Sequence, residues 1–247
     1  MNVSRTELAA RNNAIWCDSV CRAHGVPGEF LPTVWLNRSL PPLYHSNLIV
    51  ISHSGIREKT LDYIQELIDL PLPGKWSVKD SFSNLELGAL GFDLLFAASW
   101  IWHDPAPLRP GRSSSGIRWS RIVSPEELAH WETAWAWDPH NLDAFGKPAQ
   151  FPAALLEDRQ IVFFTGALGQ EIIAGGIANR TGELVGLSNV FVNAGDITAA
   201  WSGLVNCVQE AFPVLPIVGY EREYELETAR ACGFKPIGNL RVWTRHT

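Results

Sequence analysis

Residues 184–234, LVGLSNVFVNAGDITAAWSGLVNCVQEAFPVLPIVGYEREYELETARACGF, change their hydrophobic period midway. The opening LVGLSNVFVN reads as a strand, whereas Ile197, Trp201, Leu204, Val205, Val208 and Phe212 recur at helical spacing and share one face. Residues 213–220 then give another apolar strand, and 223–232 a short helix ended by Gly233. This order of strand, turn, helix, strand, helix restricts the chain to an α/β fold with a mixed sheet.

Upstream, Ser4 with Glu7 three residues on reads as a capping box that starts a helix ending by Gly25. Residues 33–36 and 47–52 read as strands, the second (NLIVIS) apolar enough for burial on both faces. Leu61, Ile64, Leu67 and Ile68 mark a helix over 57–69 that Pro71 stops, and 76–80 is a strand candidate. Residues 85–102 combine a short helix, a Gly91-Phe92 break and a final strand. The run PAPLRPGRSSS at 105–115 is the clearest linker, giving an expected division into 1–104 and 116–247. Beyond it, 118–123 reads as a strand, Ser124-Pro125-Glu126-Glu127 as a helix start, and 160–165, 171–181 and 184–193 as an antiparallel meander.

With 247 residues, 46% apolar and 19% charged, the chain can bury one large or two small cores. A net charge of −6 argues against a nucleic-acid surface, and no apolar run is long enough for a membrane span. Cys17, Cys21, Cys207 and Cys232, without a signal-peptide pattern, suggest free thiols in a cytoplasmic setting. Cys17 and Cys21 sit i,i+4 near His24 but lack a second ligand pair, so no metal is expected.

The two halves share a pattern. At an offset of 142, Ser46-Asn47, Val50, Pro71, Ala89 and Gly91-Phe92 fall on Ser188-Asn189, Val192, Pro213, Ala231 and Gly233-Phe234, seven identities over 47 positions without a gap. The coincidence of strand start, helix stop and terminal turn is what a duplicated supersecondary unit requires.

GLSNVFV (186–192), the amphipathic helix after it, PIVGYE (216–221) and ETARACGF (227–234) together resemble the GNAT superfamily of acyl-CoA-dependent N-acyltransferases. The resemblance covers 116–247, with a partial copy over 46–102, which implies a tandem arrangement with an abbreviated first copy. It implies acetyl-CoA or another acyl-CoA as co-substrate and a small-molecule amine as acceptor. In the family the pantetheine arm enters between two splayed strands and a glycine-rich turn wraps the pyrophosphate. The corresponding backbone here is that of Val190, Phe191, Val192 and Asn193, followed by the turn and helix start with Gly195, Ile197, Thr198 and Ala199. The turn, NAGDITAA, carries one glycine and no cation, and Asp196 is the expected helix N-cap, a carboxylate where a pyrophosphate would sit. The family's tyrosine, four residues before the terminal glycine, is Ala229 here.

Acylating an amine needs a base for the ammonium proton, a donor for the thioester oxygen and an acid for the thiolate. Glu221 is the candidate base, or a solvated carboxylate at the start of the last helix. Tyr220 is the candidate acid, or a packing residue of the sheet, and Tyr224 lies nearby in sequence. Asn189 and Ser188 face the thioester, or bond across the sheet at a bulge. Trp131 and Trp135 are expected in the core; Trp137, on the other face, is left for a cleft or a subunit contact, so a homodimer is allowed. The competing expectation is a catalytically degenerate GNAT-like module used for binding or assembly.

Overall fold

The computed structural model describes residues 3–53, 57–70, 72, 74–105, 116–136 and 149–246. In chain order they form α1 (Arg5–Ala23), β1 (Glu29–Phe30), β2 (Val34–Leu36), β3 (Leu48–Val50), α2 (Arg57–Asp69), β4 (Lys75–Asp80), β5 (Asp93–His103), β6 (Arg118–Arg121), α3 (Pro125–Trp135), β7 (Ile161–Leu168), β8 (Glu171–Thr181), β9 (Leu184–Val192), α4 (Ile197–Ala211), β10 (Ile217–Glu221), α5 (Glu223–Ala231) and β11 (Lys235–His246), with single 3₁₀ turns at Gly88–Leu90 and Ala153–Glu157. Two compact units result: Met1–Ile101 with Tyr220–Glu223 and Pro236–Thr247, and Trp102–Gly219 with Tyr224–Lys235. The expected linker, from 106 on, and Trp137 lie outside the described residues.

In the first unit the strands run β1-β2-β3-β4-β11-β5, so the last strand of the chain is central here. β3 and β4 are parallel through Leu48↔Val78 and Ile49↔Lys79, and β11 is antiparallel to β4 from Arg241↔Asp80 to His246↔Lys75. Period-two alternation divides the core between two faces. Val34, Leu36, Leu48 and Val50 pack with Ile64 and Leu67 of α2, while Trp35 and Ile49 pack with Ala14, Cys17 and Cys21 of α1.

α1 begins with the expected box: Ser4 Oγ accepts from the Glu7 amide, and Glu7 reaches back to the Ser4 amide. The same carboxylate accepts from the His53 amide and Ser52 Oγ, tying helix start to the segment after β3. The backbone donors of His53 and then Ser4 hold Glu7 below the ordinary value of 4.5. A carboxyl depressed in the folded state stabilises above its unfolded value and loses that contribution as pH falls through the folded one. The stability gap between wild type and Glu7→Gln, read from urea midpoints, is therefore expected above about pH 4.5 and to close below it. A gap unchanged in acid would refute this account.

In the second unit the strands run β10-β9-β8-β7-β6. β6 to β9 form the antiparallel meander, and β10 joins β9 in parallel. Ser124 and Glu127 make the second capping box, with Pro125 at the first turn of α3. Adjacent glycines of β8 admit a helix to each face. A Cβ on Gly175 would stand 2.5 Å from Trp131 Nε1 of α3, and one on Gly176 2.7 Å from Leu204 Cδ2 of α4. Gly175→Ala is expected to cost about 1–3 kcal/mol by overpacking, seen as a lower melting temperature; an unchanged one would contradict the close approach.

Most expected elements appear, with local differences. The strand expected over 213–220 begins only at Ile217, because Pro213 and Pro216 have no N–H to donate and Val214 takes φ +60°. β1 and the turn at Ala153–Glu157 carried no periodic signal, and β7 extends to Leu168. The element bounds follow the same offset: adding 142 carries α2 to 199–211 within α4, β4 to 217–222 over β10, and β5 to 235–245 within β11. Gly91 and Gly233 both take left-handed φ, +77° and +95°. No helix among the described residues is long and apolar enough to cross a membrane.

Candidate functional site

β9 changes character at Ser188, being buried from Leu184 to Leu187 and half-buried from there to Val192. Its pairing explains the change. β8 follows it from Thr181↔Leu184 to Ala174↔Val192, but β10 pairs only through Ile217↔Val185 and Val218↔Gly186 among the described residues. Successive residues of a strand direct their N–H and C=O to alternate edges. Between Leu187 and Val192, alternate residues thus present backbone groups away from β8, beyond the end of the parallel ladder.

A bulge shapes this edge. Ile177 faces Ser188 and Gly175 faces Phe191, which leaves Asn189 and Val190 opposite the single residue Gly176. Asn189 absorbs the turn with φ +52°, a conformation asparagine tolerates better than most residues. Ser188 Oγ is buried without a hydrogen-bond partner among the described residues. After the bulge, Phe191 stacks edge-on against Trp131 with centroids 5.4 Å apart, and Val192 packs towards Ile173 and Ala200.

The turn into α4 is held on both sides. The Asn193 amide donates to Ile173 O at 2.7 Å and its Nδ2 to Ala134 O at 2.8 Å, while Gly195 takes φ +86°. Asp196 is the N-cap, its Oδ1 accepting from the Ala199 amide at 2.9 Å. One helix-start donor is therefore already used, by a negatively charged group. Ile197 and Ala199 are half-buried and Thr198 is exposed. Thr198 O also accepts from Cys232 Sγ at 3.6 Å, and Ser202 Oγ lies 3.5 Å from that sulfur. Burial raises the Cys232 thiol above its ordinary range, so it stays a neutral tie between α5 and the first turn of α4.

Tyr220 and Glu221 end β10 and belong to the first unit. Tyr220 is half-buried, stacked on Phe96 at 6.4 Å and edge-on to Trp100 at 5.5 Å, and its hydroxyl accepts from Lys79 Nζ at 3.4 Å. Glu221 is half-buried, followed by Arg222, whose guanidinium lies 5.0 Å from the Phe96 ring. Ala229 is fully buried and Tyr224 is 65% exposed. Sequence reading missed Lys79, a lysine inside an otherwise strand-like WSVKD, which is 4% exposed.

The chain matches no family model and no curated protein sequence. Its fold, however, recurs in solved structures. A GCN5-related N-acetyltransferase from Kribbella flavida superposes with a TM-score of 0.55 at 13% identity, over 96% of this chain and 95% of that one. A tandem GNAT protein from the clavulanic acid biosynthesis pathway gives 0.54 at 12% identity over 99% and 97%. A GCN5-related N-acetyltransferase from Sphaerobacter thermophilus gives 0.52 at 13% over 99% and 94%. The chain thus has a GNAT-like α/β fold along nearly its whole length.

Proposed function

We propose that this protein is an acyl-CoA-dependent N-acyltransferase, most simply an acetyltransferase, whose working half is residues 116–247. The observation that carries this reading is the edge of β9 past Gly186 that β10 leaves without a strand partner among the described residues, in a chain with a GNAT-like fold. Within Val190, Phe191, Val192 and Asn193, the backbone groups turned away from β8 supply hydrogen-bonding partners for the pantetheine amides. The turn with Gly195 and the first-turn residues Ile197, Thr198 and Ala199 would meet the pyrophosphate. Free thiols at all four cysteines suit a cytoplasmic protein.

In the reaction, Glu221 takes a proton from the acceptor ammonium, directly or through water. The amine nitrogen attacks the thioester carbon. The C–S bond then breaks, Tyr220 protonates the departing thiolate, and the acylated nitrogen gives up its surplus proton to the resulting phenolate, leaving a neutral amide, CoA and the proton held by Glu221. A single cofactor site per chain is expected. In the first copy β3 and β4 pair at Leu48↔Val78 and Ile49↔Lys79, and the Asn47 amide donates to Ser77 O at 2.8 Å, so that parallel ladder is closed.

Isothermal titration with acetyl-CoA and CoA at millimolar concentration tests the reading. Binding at one equivalent per chain is expected, and no heat from either ligand would overturn it. Asp196→Asn, which keeps an N-cap but removes the charge, is expected to tighten CoA about 3- to 10-fold. A second reading, a catalytically degenerate module that keeps the fold for binding or assembly, is favoured by the Asp196 carboxylate on the Ala199 amide and by Ala229. It predicts that even Asp196→Asn binds no CoA.

A further inference from the structure

The first unit buries three charges near α1 and β4, and two of them are neutralised internally. Asp18 accepts from Arg22 Nε, from Trp35 Nε1 at 3.0 Å and from the Gly28 amide at 3.1 Å. Asp80 accepts from the Asn84 and Leu85 amides at 3.2 and 2.9 Å and lies 3.5 Å from Arg241 Nη2. Lys79 differs. Its ammonium donates to Asn13 Oδ1 at 2.7 Å and to the Tyr220 hydroxyl at 3.4 Å, stands 4.6 Å from the Tyr220 ring centroid, and meets no carboxylate among the described residues. The neighbouring Cys17 offers no counter-charge, since burial raises its thiol pKa.

A buried ammonium with neutral acceptors only is an incomplete arrangement, because buried charges are ordinarily paired. The cluster is not sealed: Asn13, Tyr220 and the stacked Phe96 are half-buried, so it reaches solvent past these three residues. Its donors are one ammonium, one amide and one phenol. A single positive charge flanked by two neutral donors matches a singly charged carboxylate better than a doubly charged phosphate. The position is also informative, since 79 plus 142 is 221: the closed first copy holds an ammonium where the second holds the carboxylate of Glu221.

We infer that Lys79, with Asn13 and Tyr220, is the subsite for a carboxylate carried by the acceptor, so that the substrate class is an amine bearing a carboxylate group. The word acceptor rests on the acyltransferase reading; the anion site does not. Protein labelled with ¹³C at lysine Cε and tyrosine Cζ, with Lys79 and Tyr220 assigned through Lys79→Arg and Tyr220→Phe, is titrated with acetate and benzoate, with acetamide and benzamide as neutral matches, and with inorganic phosphate. Saturable shifts at both residues are expected with the carboxylates and not with the amides. Lys79→Arg is expected to retain carboxylate affinity and Lys79→Gln to weaken it about 10-fold or more. The wild-type titration decides the matter even if a variant fails to fold. No saturable shift, or equal shifts with the amides, overturns the site; a stronger response to phosphate overturns the carboxylate assignment. Calorimetry with acetyl-CoA reports separately, so a carboxylate site without CoA binding would sink the acyltransferase reading and leave the site standing.

Discussion

Trp131→Ala is expected to destabilise the second unit by about 3–5 kcal/mol, the range for truncating a large buried aromatic side chain. Trp131 is fully buried, its ring edge-on to Phe163 at 5.3 Å, Phe191 at 5.4 Å and Phe151 at 5.7 Å, and parallel to Trp135 at 6.4 Å. Its Nε1 donates to Phe164 O at 2.9 Å inside the core. Alanine would leave a cavity against β8, where Gly175 already has no side chain to fill it, and would orphan the Phe164 carbonyl. Trp131→Phe separates these effects: it restores much of the volume but not the donor, and should recover part of the loss. Urea denaturation followed by far-UV dichroism measures both. If Trp131→Ala left the midpoint where wild type has it, this aromatic cluster could not be what joins α3 to the sheet. Because Phe191 leans on Trp131, the open edge of β9 should lose order along with the core.

Glu221→Gln is expected to lower kcat about 10²- to 10⁴-fold while leaving acetyl-CoA affinity near wild type. Glutamine keeps the size and hydrogen bonding of glutamate but cannot accept the ammonium proton. The affinity should hold because the cofactor is assigned to the β9 backbone and the α4 turn. Steady-state acetyl transfer to an amine acceptor, set beside calorimetry of acetyl-CoA, separates the two effects. Turnover equal to wild type would remove Glu221 from the mechanism. Tyr220→Phe should lower kcat less, since water can also protonate a thiolate, a modest base, and should raise the KM of an acceptor that bears a carboxylate; a loss in kcat as large as that of Glu221→Gln would give Tyr220 a role beyond these two.

The local conformation at two points of the candidate site was legible in residue order. The N-cap role of Asp196 followed from its place before an amphipathic run, and the structure puts its Oδ1 on the Ala199 amide. Polar residues inside an apolar strand need a local reason, which makes a bulge one expectation for Asn189, and Asn189 sits at a bulge with φ +52°. Lys79 was not legible. A lysine in a strand ordinarily places its ammonium in water, whereas this one meets Asn13 of α1 and Tyr220 of β10.

Residue order by itself determined the elements, their caps and the Gly233 terminus, all of which depend on contacts within a few residues along the chain. Beyond the meander of β7 to β9, which the tight turns already implied, tertiary structure alone decided which strands became neighbours. It placed β11 between β4 and β5, ended the β10 ladder at Val218, and closed the matching ladder of β3 and β4. The physical reason is that periodicity and capping are local, whereas a ladder's length depends on two segments far apart in sequence. How far β10 accompanies β9 is a property of the pair, and no window of either strand contains it.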